Sequence, residues 1–197
     1  MIRNVVFDLG GVLITWRPDE IAASFYADPE LRAALLEHVL RHPDWLEMDR
    51  GTYDETELAH RFAARMARPV DEMAALFEHV RASLLPIRET IALLTDLRAR
   101  GLALYALSNM AVPMFRHIER YDFFRSFRGI VVSADVRLVK PDTAVFELLA
   151  QRFGLALHES VFVDDVAANV ETARRLGMAA MRFARAARRA RELERLL

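Results

Sequence analysis

The sequence contains no cysteine, which excludes disulfides and thiolate metal sites and fits a cytoplasmic setting. It has no apolar run long enough to span a bilayer, and the opening Val5-Val6-Phe7 is cut at once by Asp8 instead of leading into a signal peptide. It also lacks an excess of either charge. A net charge of −1 gives no electrostatic case for binding nucleic acid or an anionic membrane surface. Lysine is almost missing too. Of 27 basic side chains, only Lys140 is not arginine. Arginine is a planar, forked and weakly hydrated cation, whereas lysine is a compact point charge on a thin stem, which a crowded anionic pocket accepts more readily. A lone lysine is therefore either a leftover at a surface position or a residue that a site requires.

What is present is ample apolar material, 53% of 197 residues, enough for one good-sized domain or a core with a modest insertion. Short β-rich runs alternate with helical patterns, the mark of an α/β chain built from βαβ units around a parallel sheet. Strands are expected at Asn4–Phe7, Leu102–Leu107, Gly129–Ser133, Ser160–Val163 and Met178–Phe183. Helices are expected at Arg88–Arg100, Val112–Arg120, Pro141–Phe153 and Ala167–Leu176, with Gly101, Gly154 and Gly177 placed as left-handed caps. Between the first two strands the rhythm changes. From about Trp16 to Leu85 the pattern is almost entirely helical, with amphipathic pieces such as Ile21–Phe25, Pro29–Arg41 and Thr56–Met66. One crossover needs about a dozen residues, so this stretch reads as an inserted helical subdomain, 16–85, on a Rossmann-like core of 1–15 and 86–197, with Pro18 and Pro86 as hinge markers. The closing Arg182–Leu197, with six arginines against two glutamates, reads as a solvated or partner-facing helix.

Ligands of an open parallel sheet bind beyond the C-terminal strand ends, near the switch in strand order. Polar residues collect there. The first strand ends in Asp8-Leu9-Gly10-Gly11, the second in Ser108-Asn109, and the fourth in Asp164-Asp165 with Asn169 four residues on. Lys140 follows the third strand. Pro141 suits the first position of a helix and Asp142 its first turn, so Lys140 is expected at a helix N-terminus that already favours an anion. Each piece alone has a plain reading, since Asp after a strand is usually a turn or cap and Ser-Asn is ordinary loop chemistry. Together they place three carboxylates within a few ångströms, and one lysine cannot neutralise them all. A hard cation resolves the conflict, and two carboxylates with a backbone carbonyl and waters form a typical Mg²⁺ shell. Without cysteine or a paired-histidine motif, zinc is disfavoured.

The order Phe7-Asp8-Leu9-Gly10-Gly11-Val12, Leu107-Ser108-Asn109, Lys140-Pro141 and Val163-Asp164-Asp165 with Asn169 closely resembles the haloacid dehalogenase-like hydrolase superfamily. The resemblance covers essentially the whole chain. Its Asp-Leu-Gly opening and Asp-Asp-x-x-x-Asn ending look most like bacterial sugar-phosphate phosphatases related to α-glucose-1-phosphatase. It implies Mg²⁺ dependence, hydrolysis of a small phosphorylated metabolite, and a covalent aspartyl-phosphate intermediate on Asp8. Asp8, the Gly10 carbonyl and Asp165 would hold the metal, and Asp164 would act through a water on it or by orienting Lys140. Ser108 and Asn109 would donate to the phosphoryl oxygens, Lys140 would offset charge, Asn169 would support the metal end, and the inserted helices would close over the leaving group.

One position departs from the family pattern. A second Asp, two residues after the nucleophile, usually protonates the leaving oxygen and then activates water. Here that position is Gly10. Two other readings therefore stand: a 2-haloacid dehalogenase, which also lacks that Asp, and a catalytically degenerate binding or regulatory protein. The acid pair Asp164-Asp165 argues against the first, because a metal-free site has no reason to gather acids around a carboxylate nucleophile. The remaining conspicuous residues read plainly. His38, His42, His60, His79, His117 and His158 show no ligand spacing, Trp45 reads as packing within the insertion, and the methionines read as core filler. Trp16 and Arg17 could face a cleft below the inserted helices. The oligomeric state and the identity of the ester are open at this level.

Overall fold

A computed structural model describes residues 1–183 together with Leu193 and Leu196. The closing helix expected over Arg182–Leu197 therefore lies, from residue 184 on, almost wholly outside the described residues.

Five strands form one all-parallel sheet, β1 (Asn4–Phe7), β2 (Ala103–Ser108), β3 (Gly129–Val132), β4 (Ser160–Asp164) and β5 (Ala179–Arg182), in the order β3-β2-β1-β4-β5. β1 is therefore central. Phe7 pairs with Ala106 on one side and Val163 on the other, so Asp8 emerges between the ends of β2 and β4. All four β1 residues are buried, and their alternation feeds two apolar layers. Val6 joins Tyr105, Leu107, Phe146 and Phe162 on one face. Val5 and Phe7 join Leu104, Ala106 and Val161 on the other, in a cluster that runs on without a break into Trp45, Phe62 and Phe77 of the inserted helices.

The helices of the sheet layer are α6 (Arg88–Ala99), α7 (Val112–Ile118), a single turn α8 (Ser133–Val136), α9 (Thr143–Phe153) and α10 (Ala167–Arg175). All but α8, which begins at a residue expected to end the third strand, correspond to expected helices. Gly101, Gly154 and Gly177 have φ of 86°, 65° and 86°, the left-handed stops that a Cβ would oppose. One expectation fails. α9 begins at Thr143 rather than Pro141, so Lys140 does not stand at a helix N-terminus. Val139–Asp142 instead makes a turn closed by Asp142 N–H on the Val139 carbonyl at 3.0 Å, and the Lys140–Pro141 peptide bond is cis. The cause is tertiary: Asn109 binds both backbone groups of Lys140, at 2.9 and 2.8 Å, and draws that loop to the end of β2.

Between β1 and β2 lie α1 (Pro18–Phe25), α2 (Pro29–Leu35) with a continuing wide turn to Leu40, α3 (Pro43–Arg50), α4 (Glu55–Met66) and α5 (Val70–Ser83). Side chains start several of them. Asp28 accepts from Glu30 and Leu31 N–H at 2.7 and 3.0 Å, and Asp54 accepts from Glu57 N–H at 2.8 Å. The chain leaves and re-enters the sheet layer through adjacent segments. Thr15 N–H donates to the Leu85 carbonyl and Ile87 N–H to the Leu13 carbonyl, both at 2.8 Å. The two junctions are thus hydrogen-bonded to each other.

Candidate active site

β1 delivers Asp8 with its backbone held by the Val163 carbonyl at 2.8 Å and its Oδ1 accepting from Leu9 N–H at 2.7 Å. The turn beyond is tight, and its two glycines differ. Gly11 has φ of +72°, and a Cβ there would collide with the Asp165 carboxylate, so glycine is required. Gly10 has no such constraint. A Cβ would meet only Trp16 Cβ at 3.7 Å, an ordinary contact.

Lys140 Nζ is the hub. It lies 2.8 Å from Asp8 Oδ1, 2.7 Å from Asp164 Oδ2 and 2.9 Å from the Leu107 carbonyl, three acceptors for its three hydrogens. Asp164 is fully buried and otherwise bound by Val166 N–H at 2.8 Å and by the Asn169 amide at 3.0 and 3.1 Å. Asn169 thus supports Asp164, and Asp164 orients Lys140. Asn109 turns its amide to the Lys140 backbone, as described above, and lines the cavity in front of Asp8. Ser108 Oγ is buried and has no hydrogen-bond partner among the described residues.

The electrostatics follow from burial. Desolvation pushes Asp8 up to about 7 against the pull of Lys140, with Asp164 and Asp165 adding to the rise. Burial, then the charge of Asp164, also raises Asp165. Burial opposes the charge on Lys140, but Asp8 and Asp164 outweigh it and hold the ammonium above its ordinary value. Oxygens of Asp8, Asp164 and Asp165 lie within 4.8 Å of one another, a group that could hold a metal ion. Hard oxygen donors carrying more negative charge than one lysine offsets suit Mg²⁺.

A cavity of about 460 Å³ opens over these residues. Its polar floor holds Asp8, Gly10, Asn109, Lys140, Asp165 and Asn169. Its walls are mostly apolar, from Trp16, Leu40, Pro43, Trp45, Leu46, Val80, Leu84, Met110, Met114 and Val166, with Arg41, His42 and Asp49 set among them. Trp16 does face the cavity, beside Trp45 with ring centroids 5.5 Å apart. Trp45 both packs on Phe77 within the insertion and lines the wall. Arg17 does not reach it and pairs with Glu20 at 3.0 Å.

The sequence reading missed Asp49. It sits in the last turn of α3, lines the cavity, and accepts from Ala111 N–H at 3.0 Å. Burial pushes it up to about 7, the Ala111 hydrogen bond working against this and the charge of Asp8 adding to it. One signal was available. Asp49 is four residues after Trp45, so it shares the apolar stripe of an amphipathic helix, where a carboxylate is out of place.

The family model for haloacid dehalogenase-like hydrolases matches residues 2–177, and the chain belongs to that family. It is 28% identical to a sesquiterpene phosphatase, astK, of Aspergillus oryzae over 89% of this chain and 87% of that protein. It is 26% identical to the phosphoglycolate phosphatase of Escherichia coli over 89% of this chain and 79% of that protein. The fold superposes on the magnesium complex of a HAD family enzyme, bt-2542, from Bacteroides thetaiotaomicron, with a TM-score of 0.75 at 21% identity and 98% of each chain covered. No described helix is long and apolar enough to cross a membrane.

Asp49 also makes the site's electrostatics measurable. Its carboxyl rises from 3.8 in the unfolded chain to about 7 in the fold, so folding favours the protonated form and stability is lost as pH climbs through that interval. Asp49→Asn keeps an oxygen for Ala111 N–H and removes the charge. Its Tm advantage over wild type, measured at constant ionic strength, should be near zero at pH 3.8, grow up to pH 7 and level off above it. An advantage that does not change with pH would refute the assignment.

Proposed function

We propose that this hydrolase is a Mg²⁺-dependent phosphomonoesterase that acts on a small phosphorylated metabolite through an aspartyl-phosphate on Asp8. The observation that carries the reading is the ammonium of Lys140 joining Asp8 to Asp164, with Asp165 alongside. Carbon–halogen hydrolysis has no use for three carboxylates around the nucleophile, and a degenerate binding protein has no reason to keep a desolvated lysine between two of them. Asp8, Asp165 and the Gly10 carbonyl would hold Mg²⁺, with Asp164 behind them. Bound there, the ion would neutralise charge on the phosphoryl oxygens.

The chain's own residues then have distinct tasks. Asp8, oriented by Lys140 and Leu9 N–H, attacks phosphorus. Ser108 Oγ and the second N–H of Asn109 donate to the phosphoryl oxygens, and Lys140 offsets the charge that Asp8 and phosphate share. Asn169 keeps Asp164 pointed at Lys140. Residues 16–85 work as a cap over a core of 1–15 and 86–197, excluding water and choosing the substrate. The mostly apolar cavity walls favour an ester whose organic part is largely apolar over the sugar phosphate that the motifs suggested. Sugar hydroxyls would face mainly apolar side chains, Arg41, His42 and Asp49 being the polar wall residues among those described. The sesquiterpene phosphatase among the relatives is consistent with this choice.

Asp8→Asn should abolish phosphate release with and without Mg²⁺ while keeping the wild-type circular dichroism spectrum, and turnover comparable to wild type would end the assignment. Lys140→Arg should lower kcat/KM at least about tenfold, about 1.4 kcal/mol of transition-state stabilisation, because a planar guanidinium cannot meet three acceptors placed around a tetrahedral ammonium. On a panel of esters, a terpenyl or medium-chain alkyl monophosphate should exceed glucose 1-phosphate in kcat/KM by at least about tenfold, since each buried methylene contributes about 0.8 kcal/mol. The reverse order would restore the sugar phosphate reading.

A further inference from the structure

Glycine at position 10 leaves the proposed reaction one group short. The departing alkoxide needs a proton, and the water that later attacks the acyl phosphate needs a base. Lys140 cannot serve, because all three of its hydrogens are bound to Asp8, Asp164 and Leu107. Asp164 is fully buried with both oxygens engaged, and Asp165 belongs to the group that suits a cation. The carboxylates lining the cavity are Asp8, Asp165 and Asp49, and Asp49 alone comes from the insertion.

We infer that Asp49 is the general acid–base of this site, supplied by the inserted helices in place of the side chain missing at position 10. The inference rests on the phosphatase reading above. The last turn of α3 is pinned to the sheet layer at several points. Asp49 Oδ1 accepts from Ala111 N–H at 3.0 Å, in the loop that carries Ser108 and Asn109. Its backbone carbonyl accepts from Ser133 Oγ, which itself accepts from Met110 N–H at 2.9 Å. Arg50 pairs with Asp142 at 3.6 Å, two residues beyond Lys140. Gly51, at φ +80°, lets the chain pass so close to α8 that a Cβ would lie 2.8 Å from the Ala134 carbonyl. One carboxyl oxygen is thereby held in place, while Oδ2 makes no hydrogen bond among the described residues. Its raised pKa, described above, suits a group that must both give and take a proton near neutral pH.

The steps balance. Asp8 attacks phosphorus, the bond from phosphorus to the ester oxygen breaks, and that oxygen takes the proton of the Asp49 carboxyl, leaving free alcohol, Asp49 carboxylate and phospho-Asp8. Water then attacks phosphorus and gives a proton to Asp49. The bond from phosphorus to Asp8 breaks, releasing inorganic phosphate and restoring both residues. Of the other ionisable groups that residues 16–85 bring to the cavity, Arg41 pairs with Asp19 at 2.7 Å, and His42 turns Nδ1 to Asp44 N–H at 3.1 Å.

The test compares 4-nitrophenyl phosphate, whose leaving group needs no proton, with an alkyl monophosphate, in wild type, Asp49→Asn and Asp49→Asn/Gly10→Asp. Asparagine keeps the bond to Ala111, and the added aspartate has room beside Trp16. Asp49→Asn should release one equivalent of nitrophenol per site at a rate within about tenfold of wild type and then stall as a phosphoprotein visible by intact mass. Its release of alkyl alcohol should fall 10²–10⁴-fold, the usual worth of a positioned acid, and the double variant should recover at least about tenfold of that loss. Alkyl turnover within about threefold of wild type would overturn the inference. So would an equal fall for both esters without recovery, which is the behaviour of a closing latch, or the same pattern in His42→Gln with Asp49→Asn unaffected. A wild-type protein that hydrolyses neither ester would overturn the phosphatase reading as well, which separates the two failures.

Discussion

The Lys140 ammonium is the point on which the site's geometry depends. A buried cation of this kind is costly to desolvate and is tolerated only where its partners are close and complete. Here they are complete, because the strand order places Asp8 between the ends of β2 and β4, so that one side chain reaches Asp8, Asp164 and the β2 carbonyl of Leu107 together. Removing any one partner would leave charge or an N–H group unpaired in a dry interior. A compact ammonium meets this demand and a fork of five donors does not, which explains why an arginine-rich chain keeps a lysine at this place.

The same charge balance shapes the surroundings. Asn109 holds the Lys140 backbone and Asn169 holds Asp164, so two amides act on the ion pair from opposite partners. Three carboxylates against one lysine leave an excess of negative charge that a hard cation would offset, and Asp164 raises both Asp8 and Asp165 through that charge. Above this floor the walls become mostly apolar, with Arg41, His42 and Asp49 set among them. In the proposed reaction a phosphoryl group and an apolar organic group would have separate places, and Asp49 lines the same cavity from the helices between β1 and β2.

Much of this was legible in the linear sequence, for a physical reason. A parallel sheet brings every strand's C-terminal end to one edge, so a carboxylate or hydroxyl directly after an apolar run has its place set by local pattern alone. That logic located Asp8, Ser108, Asp164 and Asp165, and positive-φ glycines marked where helices stop. Where local pattern met a tertiary bond, it lost. Pro141 and Asp142 look like a helix start, but Asn109 draws Lys140 toward β2 and delays the helix to Thr143. Asn109 itself looked like a phosphate donor and proved also to be the tether of that loop.

The sheet, the residues at its edge and the run of helices between its first two strands follow from local sequence, since period, caps and turn residues act over a few positions. Only the tertiary structure decided what closes over that edge. Asp49 stands far from Asp8 in the chain, and its place on the apolar stripe of α3 does not say which cavity that stripe meets. It reaches the cavity because α3 docks through Ala111, Ser133 and the bare backbone of Gly51. The apolar character of the cavity likewise arises where Trp16, Trp45, Leu84 and Met114 meet from separate elements. Such contacts depend on how two layers pack, a relation that no short stretch of sequence carries.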